Sequence, residues 1–562
     1  MSVLSSLRLP PFNLSDSDVI WVEQTRNGLS VEDKLRQLFV QISFGDDLAA
    51  VDAITAFKPG GLCRFVGADM AAAHAATRRA LENCEIPPFI TGDLEGGGNL
   101  AGCMTPFSNN LGMAAVNDPA MTAKAVGIMA REAKAMGYNW TFTPCIDINK
   151  EWTSAIVGTR SYGSNPAVVE AQGMACMQAF QAAGIAATAK HWPGEGFDAR
   201  DQHLVTTINR LGPDEWFSVF GRIYKRMIDA GLMSVMSAHI ALPAFAAKHG
   251  IAEGLERYRP ASVSKLINMD LLRGELGFNG LIVSDATVMA GFGDWAARSE
   301  TAPQCIENGC DVFLFSTNLE LDLSFMMQGL RNGQLSEQRV EDAVTRVLGM
   351  KAALGLHRLS IDERILPLDE VRQRIGLADH LDYAADMTAR SITLVKNTIN
   401  LLPLNPVKHK RICLISRGIP GFLPDMAWQE LESFRQALEG KGFVVSPYDG
   451  TNPPTPENCD LVIYAPAVEA SLGRSRIYMD WAMEQPGVMN TMQRYWHDLP
   501  TIMVSFGHPY YLYDAPRVAT YINAYCPTAA AQRAVVDRLL GHAPFTGVSP
   551  VDAFAGAPEA RY

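Results

Sequence analysis

The sequence predicts a (β/α)8 barrel of the TIM type followed by a smaller α/β sandwich domain with a parallel sheet. Eight apolar runs come first, each followed by a helical pattern. Such alternation is typical of a closed parallel barrel. A shorter series of apolar runs follows a polar stretch. With 562 residues, the chain is also longer than one ordinary hydrophobic core requires, so two domains are expected.

The strands of the predicted barrel are continuous apolar runs, as expected for parallel strands that are buried on both faces. The candidates are Leu38–Phe44, Gly61–Val66, Pro88–Asp93, Asn139–Asp147, Gly184–His191, Gly231–His239, Gly280–Ala286 and Cys310–Ser316. Alanine-rich helical stretches lie between them at Asp69–Asn83, Pro119–Ala135, Pro166–Ala183 and Ala290–Asn308. A last helix, Ser336–Leu354, is expected to close the barrel.

The C-terminal part repeats the strand and helix pattern on a smaller scale. Its strand candidates are Arg411–Ser416, Gly442–Tyr448, Asp460–Pro466, Thr501–Gly507 and Val518–Tyr525, and its helix candidates are Gln429–Glu439 and Ala529–Leu540. The polar stretch between the two patterns is interpreted as a connector with helices. We therefore expect a barrel over residues 1–356, a linker over 357–396 and an α/β sandwich over 397–562.

Composition and charge limit the class of function. The net charge of −12 argues against nucleic acid or an anionic membrane as a partner. No apolar run has membrane-spanning length, and the first residues do not resemble a signal peptide. The ten cysteines are scattered and form no CxxC pair, which favours reduced core thiols, a cytoplasmic location and no metal site. No nucleotide-binding glycine motif is present, so no cofactor is expected, and the oligomeric state stays open.

The stretch KHWPGEGFDARDQH, from Lys190 to His203, is the strongest candidate for a functional loop. It follows an apolar strand, and its proline and glycines exclude a helix. Seven titratable residues lie within these fourteen positions, together with Trp192. Asp201 and His203 are two residues apart, a spacing at which a carboxylate can orient an imidazole. The alternative is an ordinary solvated loop with a charged surface.

Charged or polar side chains also stand at the carboxyl ends of five of the eight predicted strands. In a barrel these ends meet on one face, where TIM-barrel enzymes carry their chemistry. The residues are Asp93, Asp147, Lys190, His191, His239 and Asp285, with Glu95 and Arg160 in nearby loops. A single aspartate at a strand end is often structural, but this recurrence predicts a polar pocket for a hydroxyl-rich ligand.

Several segments, in this order, resemble glycoside hydrolase family 3, most closely its β-N-acetylhexosaminidase branch in the two-domain form. In the predicted barrel they are KLRQLF (34–39), GDLEGG (92–97), TFTPCIDIN (141–149), GTRSYGSNP (158–166), KHWPGEG with DQH, MSAHIALPA (236–244) and GFNGLIVSDATVM (277–289). SITLVKNTINLLPL (391–404) and SFGHPYYLYD (505–514) resemble the family's linker and C-terminal sandwich. The resemblance covers most of the chain.

The resemblance implies a retaining glycoside hydrolase that releases terminal β-linked N-acetylglucosamine, or N-acetylhexosamine, from an oligosaccharide or glycoconjugate. Asp285 matches the catalytic nucleophile, and His203 paired with Asp201 matches the acid/base of the hexosaminidase branch. The residues that match sugar-binding positions are Asp93, Arg160, Lys190 and His191, and Met289 matches a pocket methionine.

These roles agree with the chemistry of a retaining glycosidase. One group attacks the anomeric carbon while another protonates the leaving oxygen and later acts as a base. Asp285 must stay ionised, and we expect Lys190 or Arg160 to keep its pKa low. An imidazole can serve as acid and then as base, with Asp201 orienting the ring. A mobile loop would suit such a group, because it can close over bound sugar.

Two departures from the family pattern leave details open. Glu195 stands where the family loop commonly has histidine, so it is an alternative acid/base or a residue that reshapes the loop. After GDLEGG the chain reads GNLAG, where relatives often carry arginine, so the leaving-group preference is open. The natural substrate and the role of the C-terminal domain also stay open.

The sequence leaves four other functions to weigh against this one. A β-glucosidase or β-xylosidase of the same family would take its acid from a carboxylate elsewhere, and the Asp201–His203 pair argues against that. A phosphorylase that transfers the glycosyl group to phosphate stays open. Outside the family, Lys190 at a strand end could form a Schiff base in a lyase. A non-catalytic sugar-binding protein would keep the pocket, but Asp285 and the dyad count against it.

Overall fold

The computed structural model describes residues 2–96, 102–420 and 428–562. The chain forms two compact units. The first contains residues 1–105, 123–148 and 169–378, and the second contains residues 106–122, 149–168 and 379–562. Two N-terminal segments therefore group with the C-terminal residues, whereas residues 357–378 of the expected linker belong to the first unit.

The first unit is a parallel eight-stranded barrel, as the sequence predicts. Its strands are β1 (Phe39–Phe44), β2 (Gly61–Phe65), β3 (Phe89–Gly92), β4 (Trp140–Thr141), β5 (Ala186–Trp192), β6 (Ser234–Ser237), β7 (Leu281–Ser284) and β8 (Phe313–Leu314). The order is β8-β1-β2-β3-β4-β5-β6-β7. A parallel bridge between Val283 and Val312 joins β7 to the residue before β8, which closes the ring.

The strands are shorter than the apolar runs that predict them, and β4 is the clearest case. The run Asn139–Asp147 forms a ladder only at Trp140 and Thr141. Pro144 follows three residues after Thr141 and has no backbone N–H to continue the ladder. Beyond the proline, Cys145 makes one further bridge, to Lys190 of β5. The carboxyl end of β4 thus stays beside β5, where the candidate site residues lie.

Helices alternate with the barrel strands as expected. The described helices, including short π and 3-10 turns, are Val3–Ser6, Asp16–Gly28, Val31–Arg36, Leu48–Ala56, Met70–Glu82, Asn110–Ala115, Pro119–Ala135, Gly158–Arg160, Pro166–Ala182, Pro213–Trp216, Phe217–Gly221, Arg222–Asp229, Pro243–Lys248, Leu255–Tyr258, Ala261–Val263, Leu266–Glu275, Ala290–Gly293, Arg298–Glu307, Leu319–Asn332, Glu337–Ala353, Ile361–Arg364, Leu368–Arg372, Ala378–Ser391, Glu432–Glu439, Trp481–Glu484, Val488–Thr491, Tyr511–Tyr513, Ala529–Leu539 and Pro558–Arg561. The stretch Ala290–Asn308, predicted as one helix, forms two. Glycines at 291 and 293 weaken the helix where it breaks.

The second unit contains a six-stranded sheet with β9 (Thr393–Asn397), β10 (Arg411–Ile415), β11 (Val444–Pro447), β12 (Leu461–Tyr464), β13 (Thr501–Ser505) and β14 (Thr520–Asn523). The order is β9-β14-β13-β12-β10-β11. All pairs are parallel except β9 with β14, which is antiparallel. β9 lies largely in the stretch expected to be linker, so that stretch contributes an edge strand to this sheet.

The faces of this sheet carry two apolar clusters. One includes Phe434, Ile463 and Phe506, and the other includes Tyr464, Met503 and Tyr521. Segment 106–122 joins the unit through Leu111 and Ala115, which pack in a small cluster with Tyr510, Tyr525 and Val551. Among the residues that the structure describes, no helix has both the length and the apolar character needed to cross a membrane.

Candidate active site

The predicted nucleophile, Asp285, directly follows β7 at the carboxyl end of the barrel. Its backbone N–H donates to the carbonyl of Ser237 at the end of β6 at 2.7 Å. The N–H of Ala286 donates to Asp285 Oδ1 at 2.7 Å. The residue is only 7% exposed, and Oδ2 has no hydrogen-bond partner among the described residues. One carboxylate oxygen is therefore held by the backbone while the other is left for a reaction partner.

Imidazoles keep Asp285 ionised. Burial on its own raises the pKa of this carboxyl, but the charges of His191, His239 and His203 and the Ala286 hydrogen bond outweigh it, so the pKa is lowered. The sequence-based expectation named Lys190 or Arg160 for this effect; the leading contributions come from the three imidazoles, and a part for either cation stays a prediction. A carboxylate that stays ionised at neutral pH suits a nucleophile.

Lys190, near the end of β5, is instead paired with two other carboxylates. Its Nζ donates to Asp93 Oδ1 at 2.6 Å. It also pairs with Glu95. The lysine side chain is 2% exposed, whereas Asp93 is 24% exposed and presents its remaining surface to solvent. This cluster joins the ends of β3 and β5 in a charged, hydrogen-bonding wall that suits sugar hydroxyls.

His191 is held by Asp147 from the end of β4. Asp147 Oδ2 bonds His191 Nδ1 at 2.6 Å, and Oδ1 accepts the His191 backbone N–H at 3.1 Å. Cys145 Sγ donates to the same Oδ2 at 3.0 Å. Burial raises the pKa of Asp147, but His191 and these hydrogen bonds outweigh it and lower the pKa. Asp147 therefore acts as an anionic holder of the imidazole.

Cys145, Asp147 and His191 are also the one group of potential metal ligands that lies close together among the described residues. Their donor atoms are joined at 2.6 and 3.0 Å. Oxygen and nitrogen ligands of a tetrahedral zinc ion lie about 3.3 Å apart, given metal–ligand bonds of about 2.0–2.1 Å. The spacing therefore fits a hydrogen-bonded triad better than a coordination site.

The Asp201–His203 pair forms the geometry that its spacing predicts. Asp201 Oδ1 bonds His203 Nδ1 at 2.7 Å and accepts the His203 backbone N–H at 2.9 Å. The aspartate side chain is 1% exposed and that of the histidine is 26% exposed. Because the carboxylate holds Nδ1, Nε2 is the ring nitrogen that can exchange a proton with a ligand.

Glu195, the alternative acid/base, is buried in the same loop. Its carboxylate Oε2 accepts from Gln202 Nε2 at 3.1 Å. The same oxygen lies 3.9 Å from His191 Nδ1. Its backbone N–H donates to Asp147 Oδ1 at 2.9 Å. Only 2% of its side chain is exposed. The glutamate thus connects the loop to Asp147, which holds His191.

The other expected sugar-binding residues differ in position. Met289 is buried, just before the short helix that follows β7. Arg160 ends the turn Gly158–Arg160 in the second compact unit, where Asn110 Nδ2 donates to its carbonyl at 2.7 Å. The roles of Met289 and Arg160 in sugar binding stay predictions. Gly98 and Asn99, which carry the departure from the family pattern, lie outside the described residues.

The sequence placed His239 among the strand-end residues of the predicted pocket without a specific role, and it did not single out Gln202. His239 is buried at the end of β6, with Nδ1 bonded to Ser262 Oγ at 2.9 Å and Nε2 bonded to the Ala286 carbonyl at 3.0 Å. Burial lowers its pKa despite the charge of Asp285. Its position at a strand end was the available signal. Nothing in the sequence indicates that Gln202 is buried.

The model of the glycosyl hydrolase family 3 N-terminal domain matches residues 30–350. A relative from Cellulomonas fimi, named β-N-acetylglucosaminidase/β-glucosidase, is 36% identical over 98% of this chain and 98% of its own length. A β-hexosaminidase from Nitrosomonas eutropha is 29% identical over 46% of this chain and 70% of its own length. The sequence resemblance to the family is thereby confirmed.

Solved structures give the same result. One described as β-glucoside phosphorylase BglX is 35% identical, with a TM-score of 0.91 over 99% of this chain and 100% of its own. A family 3 β-N-acetylglucosaminidase from Paenibacillus sp. shares the fold at 23% identity, with a TM-score of 0.77 over 94% of this chain and 100% of its own. The chain belongs to glycosyl hydrolase family 3 and is a carbohydrate-acting enzyme of that family.

Proposed function

We propose that this protein is a retaining β-glycosidase that releases terminal N-acetylglucosamine, and also glucose, from β-glycosides. The observation that carries the proposal is the pairing of a buried, ionised Asp285 with a partly exposed His203 held by Asp201 in the same barrel mouth. The full-length relative from Cellulomonas fimi is named for both sugars, which supports including both.

In the proposed first step, Asp285 Oδ2 attacks the anomeric carbon while the bond to the leaving oxygen breaks. His203 donates its Nε2 proton to that oxygen, so the aglycone departs as a neutral alcohol. The product is a glycosyl ester of Asp285. Asp285 Oδ2 accepts no hydrogen bond from the described residues, so no hydrogen bond has to be broken before it attacks.

In the second step, His203 accepts a proton from a water molecule, whose oxygen attacks the anomeric carbon and releases Asp285. Two inversions give net retention. Asp201 stabilises the imidazolium that forms in this step. Lys190, Asp93 and His191 are proposed to bind the sugar hydroxyls, because they line the neighbouring strand ends with charged hydrogen-bonding groups.

The specificity test is a panel of 4-nitrophenyl β-glycosides with N-acetylglucosamine, glucose and xylose as the sugar. We expect the highest kcat/KM for N-acetylglucosaminide, measurable turnover of glucoside and little of xyloside. Glucoside turnover equal to or above that of N-acetylglucosaminide would instead favour a β-glucosidase.

A second candidate is a phosphorylase, in which phosphate replaces water as the acceptor. Its support is the acid/base group, which is an imidazole and would not repel a phosphate anion as a carboxylate would. One structural relative is also described as a β-glucoside phosphorylase. The test is to compare turnover in phosphate and in phosphate-free buffer and to assay for sugar 1-phosphate. Formation of that product at millimolar phosphate, with faster turnover, would establish the second candidate.

A further inference from the structure

A buried amide–carboxylate pair lies inside the loop that carries the acid/base dyad. Gln202 stands between Asp201 and His203 in the sequence, yet it is only 1% exposed. Its Nε2 donates to Glu195 Oε2 at 3.1 Å. Its Oε1 accepts the backbone N–H of His239 at 3.0 Å. One side chain thus connects the dyad both to the start of its own loop and to the end of β6.

Glu195 extends this connection to the end of β4. Its N–H donates to Asp147 Oδ1 at 2.9 Å, and its carbonyl accepts the N–H of Ile148 at 3.2 Å. The hydrogen bonds from Asp147 through Glu195 and Gln202 to His239 therefore connect the segment after β4, the loop after β5 and the residues after β6. His239 continues it to Ala286, the neighbour of the nucleophile, at 3.0 Å.

The same segment is tied to the residues after β7. Ala290 N–H donates to the His203 carbonyl at 3.0 Å, and Thr206 Oγ1 donates to the Gly291 carbonyl at 2.8 Å. A Cβ at Gly291 would lie 2.4 Å from the Gln202 carbonyl oxygen, so only glycine allows this approach. Gln202 is therefore packed against the short segment that follows Asp285.

We infer that Glu195 and Gln202 form a positioning pair that sets His203 in register with Asp285, and that Glu195 is not the acid/base. The inference rests on the proposed retaining mechanism and adds two residues to it. A proton donor must reach the leaving oxygen, and Glu195 is buried with its carboxylate turned to Gln202 whereas His203 is partly exposed. Displacement of His203 by about 1 Å is enough to slow proton transfer greatly.

The test exchanges the two side chains. Gln202→Glu removes the amide donor and places two carboxylates in contact. We expect kcat/KM to fall about 10- to 100-fold for a methyl or disaccharide β-glycoside and much less for a 4-nitrophenyl one, since only the poor leaving group needs the proton. Adding Glu195→Gln restores an amide–carboxylate bond in the opposite direction and keeps an acceptor for the His239 N–H. The double variant should recover most of the loss.

Glu195→Gln alone should have a small effect, because an amide oxygen still accepts from Gln202. The matched control is Gln172→Glu, a substitution at an equally buried glutamine on the helix Pro166–Ala182. It reports the general effect of a buried carboxylate and should leave the leaving-group dependence unchanged. Thermal unfolding is measured for every variant, and if Gln202→Glu does not fold, Gln202→Ala takes its place with the same expected dependence.

The outcomes separate this inference from the proposed function. Two results would overturn the positioning pair. One is a double variant whose kcat/KM depends on the leaving group as steeply as that of His203→Ala. The other is a steep leaving-group dependence in Glu195→Gln alone. The positioning pair would also be wrong if a folded Gln202 variant kept the wild-type leaving-group dependence while His203→Ala showed a steeper one. If His203→Ala itself shows no dependence, the proposed mechanism is wrong, whatever the Gln202 variants do.

Discussion

Asp201→Asn isolates the charge of the dyad from its geometry. The asparagine Oδ1 can still accept from His203 Nδ1, now at 2.7 Å, and from the His203 backbone N–H, now at 2.9 Å. What is lost is the negative charge beside the imidazole. The aspartate side chain is 1% exposed, so solvent screens that charge little.

The size of the effect follows from the bond that is weakened. A hydrogen bond to a charged group contributes about 1.5–3 kcal/mol, and each 1.36 kcal/mol changes a rate tenfold, so the loss is about 10- to 150-fold. Hydrolysis of the glycosyl enzyme should suffer most, because His203 gains a proton in that step. His203→Ala removes the group entirely and should cost about 10²–10⁴.

The assay is steady-state and burst kinetics with 4-nitrophenyl β-N-acetylglucosaminide. Asp201→Asn should give a burst of nitrophenolate followed by slow turnover. The control is Asp18→Asn, because Asp18 pairs with His357 at 3.1 Å and is similarly buried but lies on the helix Asp16–Gly28. An Asp201→Asn enzyme with wild-type kinetics for every substrate would refute the role of the dyad.

Two buried charged groups, Asp311 and Lys351, should affect stability. Asp311 is fully buried and accepts hydrogen bonds from Arg273 Nη2 at 2.6 Å and from Arg339. Asp311→Asn should therefore lower the free energy of unfolding, measured by urea titration, by about 3–5 kcal/mol. A loss below about 1 kcal/mol would show that these three residues do not form a buried ionic cluster. Burial lowers the pKa of Lys351 to about 7, while the unfolded value is about 10.4. Between these two pKa values the unfolded chain binds one more proton than the folded protein, so the free energy of unfolding should rise with pH by up to about 1.4 kcal/mol per pH unit. Lys351→Met should flatten that rise. An unchanged pH profile of stability in this variant would contradict the lowered pKa of Lys351.

The barrel was predictable because its strands are buried on both faces. That burial requires continuous apolar runs, and each of the eight runs overlaps a strand of the barrel. The ends of the strands were harder to predict, because they depend on backbone pairing rather than on apolar character. At β4, Pro144 ends the ladder inside an apolar run.

The organisation of the C-terminal unit was less visible in the sequence. β9 is five residues long, and its burial alternates only weakly along the edge of the sheet. Such a strand resembles a polar connector when it is read alone. The grouping of residues 106–122 and 149–168 with this unit depends on contacts distant in sequence, such as Leu111 with Tyr510. The domain boundaries that the sequence predicts at residues 356 and 396 stay predictions.

In the site, short-range spacing was informative and long-range pairing was not. Asp201 and His203 are two residues apart, so their hydrogen bond forms within one short segment of the chain. In contrast, Lys190 pairs with Asp93 across 97 positions, and Gln202 bonds His239 across 37. The sequence indicated that Lys190 was charged and near the site, but not which carboxylate it would neutralise. The leading part of the three imidazoles in lowering the pKa of Asp285 was consequently not predicted.

The most direct test of the mechanism is identification of the covalently labelled residue. A 2-deoxy-2-fluoro-β-glucoside with a dinitrophenyl leaving group should inactivate the enzyme, because fluorine slows hydrolysis of the glycosyl ester more than its formation. Peptide mass spectrometry should find the fluorosugar on Asp285, and Asp285→Ala should lose activity by several orders of magnitude yet remain folded. Labelling of Asp93, Glu95 or Glu195 instead, or full activity of Asp285→Ala, would contradict Asp285 as the nucleophile.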